Sequence, residues 1–277
     1  MSMTFENTTT KSVDVNGTNF VFREIGKKGG VPVVFLHHLT AVLDDWDPRV
    51  VDGLAAKHHV IVFDNRGVGG SGGSTPKTVE EMARDAVAFI GALGFSKVDL
   101  LGFSLGGFVS QVIAQQQPGL VRKIILAGTG PAGGDGIVNV GAVLQDAFGK
   151  AGAIKKHPKH FLFFTQTSNG QTAADDFLQR LKERTQDLDA PVSNETVQAQ
   201  VAAIQAWGQG AATLGSVQHP VLVVNGDDDV MVPSFNSFEL ARRLPKAQLS
   251  IFPDAGHGGI FQHHAAFVQQ ARTFLQQ

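Results

Sequence analysis

The chain has 277 residues, with 23 Lys and Arg against 25 Asp and Glu, a net charge of -2 and no cysteine. A 43% hydrophobic content at this length allows one large domain, or one domain with an inserted lobe. The balanced charge argues against nucleic acid or an anionic membrane as partner, and the missing cysteines exclude disulfides, thiolate metal sites and a Cys nucleophile.

Met1 to Ser12 is polar, unlike a secretory signal, and no run approaches the roughly 18 apolar residues of a membrane span. The expectation is a cytoplasmic protein, monomer or homodimer, whose partner is a small-molecule substrate. Ser12–Val15 and Phe20–Glu24 flank Asn16-Gly17, a hairpin signal, so an antiparallel pair opens the sheet. Six apolar runs follow: Val31–His37, His59–Asp64, Val98–Phe103, Lys123–Ala127, Pro220–Asn225 and Gln248–Phe252. Their lack of polar alternation predicts parallel strands covered on both faces. Longer amphipathic stretches between them, such as Thr78–Leu93, predict crossover helices, and Asp47-Pro48 predicts a capped helix start. The fold class is therefore α/β, with an eight-stranded, mostly parallel sheet flanked by helices. Roughly 90 residues separate the fourth and fifth of these runs, far more than an ordinary connection. Helical periodicity at Ala142–Lys150, Ala173–Arg184 and Val197–Trp207 predicts an inserted helical cap over residues 131–216, with 1–130 and 217–277 as the core.

The strand Val98–Phe103 runs into Gly102-Phe103-Ser104-Leu105-Gly106 and then the apolar helix Gly107–Gln116. A serine on a sharp strand-to-helix turn is exposed at a helix N-terminus, and the flanking glycines let the backbone pack closely. Its hydroxyl needs a base. His257, in the Gly-rich loop Pro253–Gly258 after the last strand, is the candidate. The group that orients this histidine is sought at the end of the strand Pro220–Asn225, where Gly226 is followed by Asp227, Asp228 and Asp229. Asp229 is chosen because the third residue past the glycine can point back over the sheet. The rival loop after Ala127 holds no acid before Asp135.

Two other chemistries are weighed. Histidine pairs occur at 37–38, 58–59 and 263–264, but no helical ligand spacing accompanies them, and no metal is predicted. Gly67 to Gly72 matches G-x-G-x-x-G, but Gly73-Ser74-Thr75-Pro76 delays the next helix, so a dinucleotide site is not predicted and no cofactor is required.

The chain resembles the α/β-hydrolase fold family in its Ser104, Asp229, His257 order, in the elbow, and in Asp64-Asn65-Arg66-Gly67-Val68-Gly69-Gly70-Ser71, which is similar to that family's D-x-R-G-x-G-x-S loop. The resemblance implies an oxyanion hole made by the N–H of Leu105 and, from the His37-His38-Leu39-Thr40 loop, that of Leu39. His38 stands where the family commonly has glycine, and is expected to line the pocket or pack on it. Phe103 and Trp207 are expected in the substrate pocket beside His38. A Phe-rich insertion without a nearby Lys or Arg cluster points to an uncharged, apolar substrate portion. The function implied is hydrolysis of a small carboxylic ester or lactone. The alternatives are a cofactor-free perhydrolase or a small-ligand receptor that keeps the triad.

Overall fold

A computed structural model describes residues 4–277; Met1, Ser2 and Met3, the start of the polar stretch considered above, lie outside the described residues. The chain forms β1 (Lys11–Val15), β2 (Thr18–Ile25), β3 (Val33–Leu36), α1 (Pro48–Ala55), β4 (Val60–Phe63), α2 (Val79–Ala92), β5 (Val98–Phe103), α3 (Leu105–Gln116) and β6 (Val121–Ala127). Four helices then intervene: α4 (Val140–Ile154), α5 (Lys159–Leu162), α6 (Ser168–Arg180) and α7 (Asn194–Gly208). The chain returns to the sheet with β7 (Val221–Gly226), α8 (Phe235–Arg243), β8 (Ala247–Phe252), α9 (Gly259–Gln262) and α10 (His264–Gln276).

The eight strands form one sheet in the order β1-β2-β4-β3-β5-β6-β7-β8, with β2 antiparallel to its neighbours β1 and β4 and every other pairing parallel. Asn16 and Gly17 both have positive φ, 54° and 83°, the backbone a two-residue hairpin turn demands. Central strands read as predicted, because burial on both faces selects for uninterrupted apolar residues: all of β3, β4, β5 and β7 is buried. The exception is β8. It lies at the sheet edge with Leu249 37% exposed, so an apolar run there does not mean double coverage.

Helix starts follow local chemistry. Asp47 accepts from the Arg49 N–H ahead of Pro48, Thr78 accepts from Glu81 N–H, and Ser193 accepts from Thr196 N–H. In the insertion, the helix expected over Ala173–Arg184 instead runs Ser168–Arg180, because Thr167 caps its start and Arg184 has left the helix to bind the carbonyls of Glu6 and Thr8. The four-residue α5 was not predicted, being too short for periodicity to show. No helix among the described residues is long and apolar enough to cross a membrane.

Candidate active site

Ser104 joins β5 to α3 with φ 55° and ψ -117°, a conformation that a non-glycine residue rarely adopts. Three hydrogen bonds hold it there: Ser104 N–H donates to Ala127 O at 2.9 Å, while Ser104 O accepts from Gly107 N–H and Thr129 Oγ1, each at 2.8 Å. The turn is possible only because two residues lack a Cβ. At Gly102 a Cβ would stand 2.3 Å from Gly106 O, and at Gly106 it would stand 2.0 Å from Leu36 O. These contacts give the elbow glycines a steric reason in this chain.

His257 lies in the loop between β8 and α9. Its Nδ1–H donates to Asp229 Oδ2 at 2.8 Å, with both side chains buried. Asp229 Oδ1 accepts from the N–H groups of Met231 (2.8 Å) and Val232 (3.0 Å), so the carboxylate is held from behind and its second oxygen is aimed at the imidazole. The run of three acids is thereby sorted. Asp227 braces the histidine loop by accepting from Ala255 N–H at 3.1 Å, and Asp228 is exposed. With Nδ1 protonated, His257 Nε2 carries the lone pair, and it has no hydrogen-bond partner among the described residues. Ser104 and His257 line one cavity of about 310 Å³, although the two side chains make no hydrogen bond to each other in this structure.

Leu39 lines the same cavity as Ser104, and Leu105 follows Ser104 in the chain. Leu105 opens α3, and neither amide donates a hydrogen bond among the described residues. The loop carrying Leu39 is tied down on each side. His37 Nδ1 accepts from Trp46 Nε1–H at 2.7 Å, and Thr40, whose φ is 63°, donates its N–H to Gln200 Oε1 at 2.8 Å. Gln200 belongs to α7, so a buried side chain of the insertion touches the residue beside Leu39.

His38 lines the cavity. Its ring stands edge-on to Phe103 and Phe163, centroids 5.2 Å away in each case, and Nδ1–H donates to Leu39 O at 2.7 Å. Burial, reinforced by the nearby Lys159 charge, pushes its pKa down to about 3, so the ring is neutral. Two pocket expectations are corrected. Phe103 is fully buried behind the site, its ring 4.9 Å from that of His257, and takes no part in the cavity wall. Trp207 lies elsewhere: it stacks on Phe108 at 5.2 Å, donates to Gly130 O at 3.3 Å and lines a separate cavity with Gln111 and Ala203. The reason is helix length. Val197 of α7 lines the Ser104 cavity, and ten residues further on the helix has advanced roughly 15 Å.

The expectation of an apolar pocket is also amended. Leu144, Phe148, Leu162, Phe163 and Val197 bring an apolar wall from the insertion, joined by Met231. The same cavity is also lined by Lys159 and Asp45, whose Nζ and Oδ1 are 2.5 Å apart, and by His157. Sequence reading missed this pair because its members are far apart in the chain and Lys159 lies in the unpredicted α5. The sequence separation of 114 gave no local signal.

Comparison with known proteins agrees with this geometry. The sequence profile of the alpha/beta hydrolase fold matches residues 31–264. A solved alpha/beta hydrolase fold protein from Chitinophaga pinensis is 40% identical, covers 99% of each chain and superposes with a TM-score of 0.92. The structure titled "Est816 as an N-Acyl homoserine lactone degrading enzyme" is 25% identical, covers 95% of this chain and 100% of its own, and has a TM-score of 0.77. A non-heme haloperoxidase of Rhodococcus erythropolis is 27% identical over 261 residues, covering 88% of this chain and 90% of its own. The sheet order, the serine elbow and these matches together establish that the chain belongs to the α/β-hydrolase fold family.

Proposed function

We propose that the chain is a serine hydrolase that cleaves a small uncharged carboxylic ester or lactone through an acyl-enzyme on Ser104. The observation that carries this reading is the His257 imidazole, whose Nδ1–H is committed to Asp229 at 2.8 Å while its bare Nε2 shares a cavity with the strained Ser104. Nε2 takes the hydroxyl proton as Oγ attacks the carbonyl carbon. The C–O bond to the leaving alcohol then breaks, and the imidazolium returns the proton to that oxygen. Asp229 fixes the tautomer and stabilises the transient cation. Water, deprotonated by the same nitrogen, attacks the acyl carbon and releases Ser104.

The free N–H groups of Leu105 and Leu39 are the donors for the oxyanion, each lowering the barrier by about 3 kcal/mol. An open Ser–His contact is compatible with this role, since catalytic hydrogen bonds commonly tighten only around substrate. A cavity of about 310 Å³ suits a small substrate. The lactone-degrading relative supports the ester and lactone class, while the haloperoxidase relative keeps peracid formation as a second outcome of the same acyl-enzyme.

Intact-mass labelling with a fluorophosphonate tests the reading without a guess at substrate. One adduct per chain on the wild type and none on Ser104→Ala is the expected result. Folded wild-type protein that takes no adduct would sink the proposal, and bromination with peroxide in acetate that outpaces ester cleavage would move it to the perhydrolase.

A further inference from the structure

Lys159, Asp45, His38 and His157 bring four polar side chains to the lining of the Ser104 cavity. Lys159 Nζ has three N–H donors. One is committed to Asp45 Oδ1 at 2.5 Å, and the ammonium also lies 5.5 Å from the Phe163 ring centroid and 5.6 Å from that of Phe177. Asp45 Oδ2 accepts from Val42 N–H at 3.0 Å. Burial alone would raise the Asp45 pKa, but Lys159, His38 and the Val42 amide outweigh it and hold the carboxyl at about 2, ionised.

The two histidines take opposite tautomers. His157 Nδ1 accepts from the Lys159 backbone N–H at 3.1 Å, so Nε2 of this neutral ring carries the proton and is a donor. His38 donates from Nδ1 to Leu39 O, so its Nε2 is an acceptor, and that atom is buried without a partner among the described residues. The charges of Lys159 and Asp45 cancel and both imidazoles are neutral, so the four carry no net charge.

This combination discriminates among ligands. A carboxylate attracted by Lys159 meets Asp45 in the same place, and a cation attracted by Asp45 meets Lys159. A plain alkyl chain would desolvate the Lys159 N–H groups and leave His38 Nε2 bare, which is unfavourable. A neutral group with an acceptor on one atom and a donor on another satisfies both. We propose that Lys159, Asp45, His38 and His157 form a subsite for a secondary amide carried by the substrate, its C=O accepting from Lys159 and its N–H donating to His38 Nε2 or to Asp45. The inference rests on the serine-hydrolase reading for the identity of the ester, while the subsite itself is defined by binding. The substrate is then an ester or lactone with an apolar portion against Leu144, Leu162 and Val197 and an amide at the Lys159–Asp45 pair.

The test is a series of three ethyl esters of equal chain length: N-acetylglycinate, 4-oxopentanoate and pentanoate. The first has both N–H and C=O, the second only the C=O, the third neither. Calorimetric titration of Ser104→Ala avoids turnover. Each step down the series is expected to weaken Kd roughly tenfold, the contribution of one hydrogen bond to a charged or buried partner. Adding Lys159→Met should erase the difference between oxopentanoate and pentanoate. That change strands the Asp45 carboxylate and can cost the fold, so Lys159→Met/Asp45→Asn is the paired variant, removing both charges while keeping an acceptor for Val42 N–H.

Equal Kd values across the series, or a preference for oxopentanoate over pentanoate that survives in the paired variant, would overturn the subsite. Ethanol release by the wild type separates the two readings. Amide-selective binding with no ethanol from any ester upholds the subsite and overturns the hydrolase, whereas hydrolysis of all three at equal kcat/KM does the reverse.

Discussion

In β3 and β4 every residue, Val33–Leu36 and Val60–Phe63, is apolar and buried, whereas the seam between the insertion and the core is closed by charge. There Arg180 pairs with Asp47 at 2.7 Å, Lys159 with Asp45 at 2.5 Å, and Asp44 accepts from the Asp189 N–H at 2.7 Å. Three of these acids follow one another within Asp44–Asp47, on the loop that also carries Leu39. Hydrophobic burial is non-directional and indifferent to exact partners. Buried ion pairs add little net stability but penalise every arrangement that separates them. The sheet therefore supplies stability and the elbow, while the seam supplies position. The cavity lies where the two meet, taking Ser104 and His257 from the core and its apolar wall and Lys159 from the insertion.

The largest effect expected on this comparison comes from Arg180→Met. Asp47 is fully buried, and losing the guanidinium strands its carboxylate, at a cost of about 3–5 kcal/mol in denaturant unfolding. Arg180→Met/Asp47→Asn should recover most of that loss, because asparagine still caps α1 at the Arg49 N–H. If the single variant costs no more than an exposed ion pair, under about 1 kcal/mol, then the seam is not the positional device described here.

The same contrast explains what could be read from the sequence. The strands β3, β4, β5 and β7 were legible because double-sided burial writes itself into consecutive residues, and Ser104 was legible because the elbow's glycines are adjacent to it. Asp229 was chosen from three neighbouring acids by its place after a strand, a local argument that its 2.8 Å contact with His257 matches. Trp207 was misplaced because composition says nothing of how far along α7 the cavity extends. Lys159 with Asp45 and Arg180 with Asp47 were invisible, since each pair spans more than a hundred residues.

A smaller effect, on chemistry rather than stability, is expected at Gln200. Its Oε1 is the acceptor for Thr40 N–H, one residue from the proposed oxyanion donor Leu39. Gln200→Leu leaves that amide unpaired and the loop less constrained. Ester hydrolysis should lose roughly tenfold in kcat, with KM changed less than about twofold, the loss of one hydrogen bond acting on the transition state alone. A matched rise in KM with kcat intact would mean that Gln200 shapes the binding pocket instead, and that the seam does not reach the oxyanion loop.

The smallest and most condition-dependent effect belongs to a carboxylate pair in the seam. Asp64, at the end of β4, and Asp189, in the segment joining α6 to α7, both accept from the single Leu43 N–H, at 3.0 and 3.3 Å. Burial pushes Asp64 up to about 6. Burial and the neighbouring Asp64 push Asp189 up to about 7. Arg23 and His37 stand nearby, but His37 is held neutral by burial, its pKa near 4, and offers no compensating charge. Carboxyls raised in the folded state favour folding when protonated. Their contribution is complete below the ordinary carboxylate pKa of about 3.9 and is lost as pH rises through 6 and 7. Melting temperature should therefore decline from pH 5 to pH 8 in the wild type and decline less in Asp189→Asn, which cannot ionise. Parallel curves for the two proteins would show that the pair is solvated and does not clasp the insertion to the core, which would leave the ion pairs of Asp45 and Asp47 to hold the seam alone.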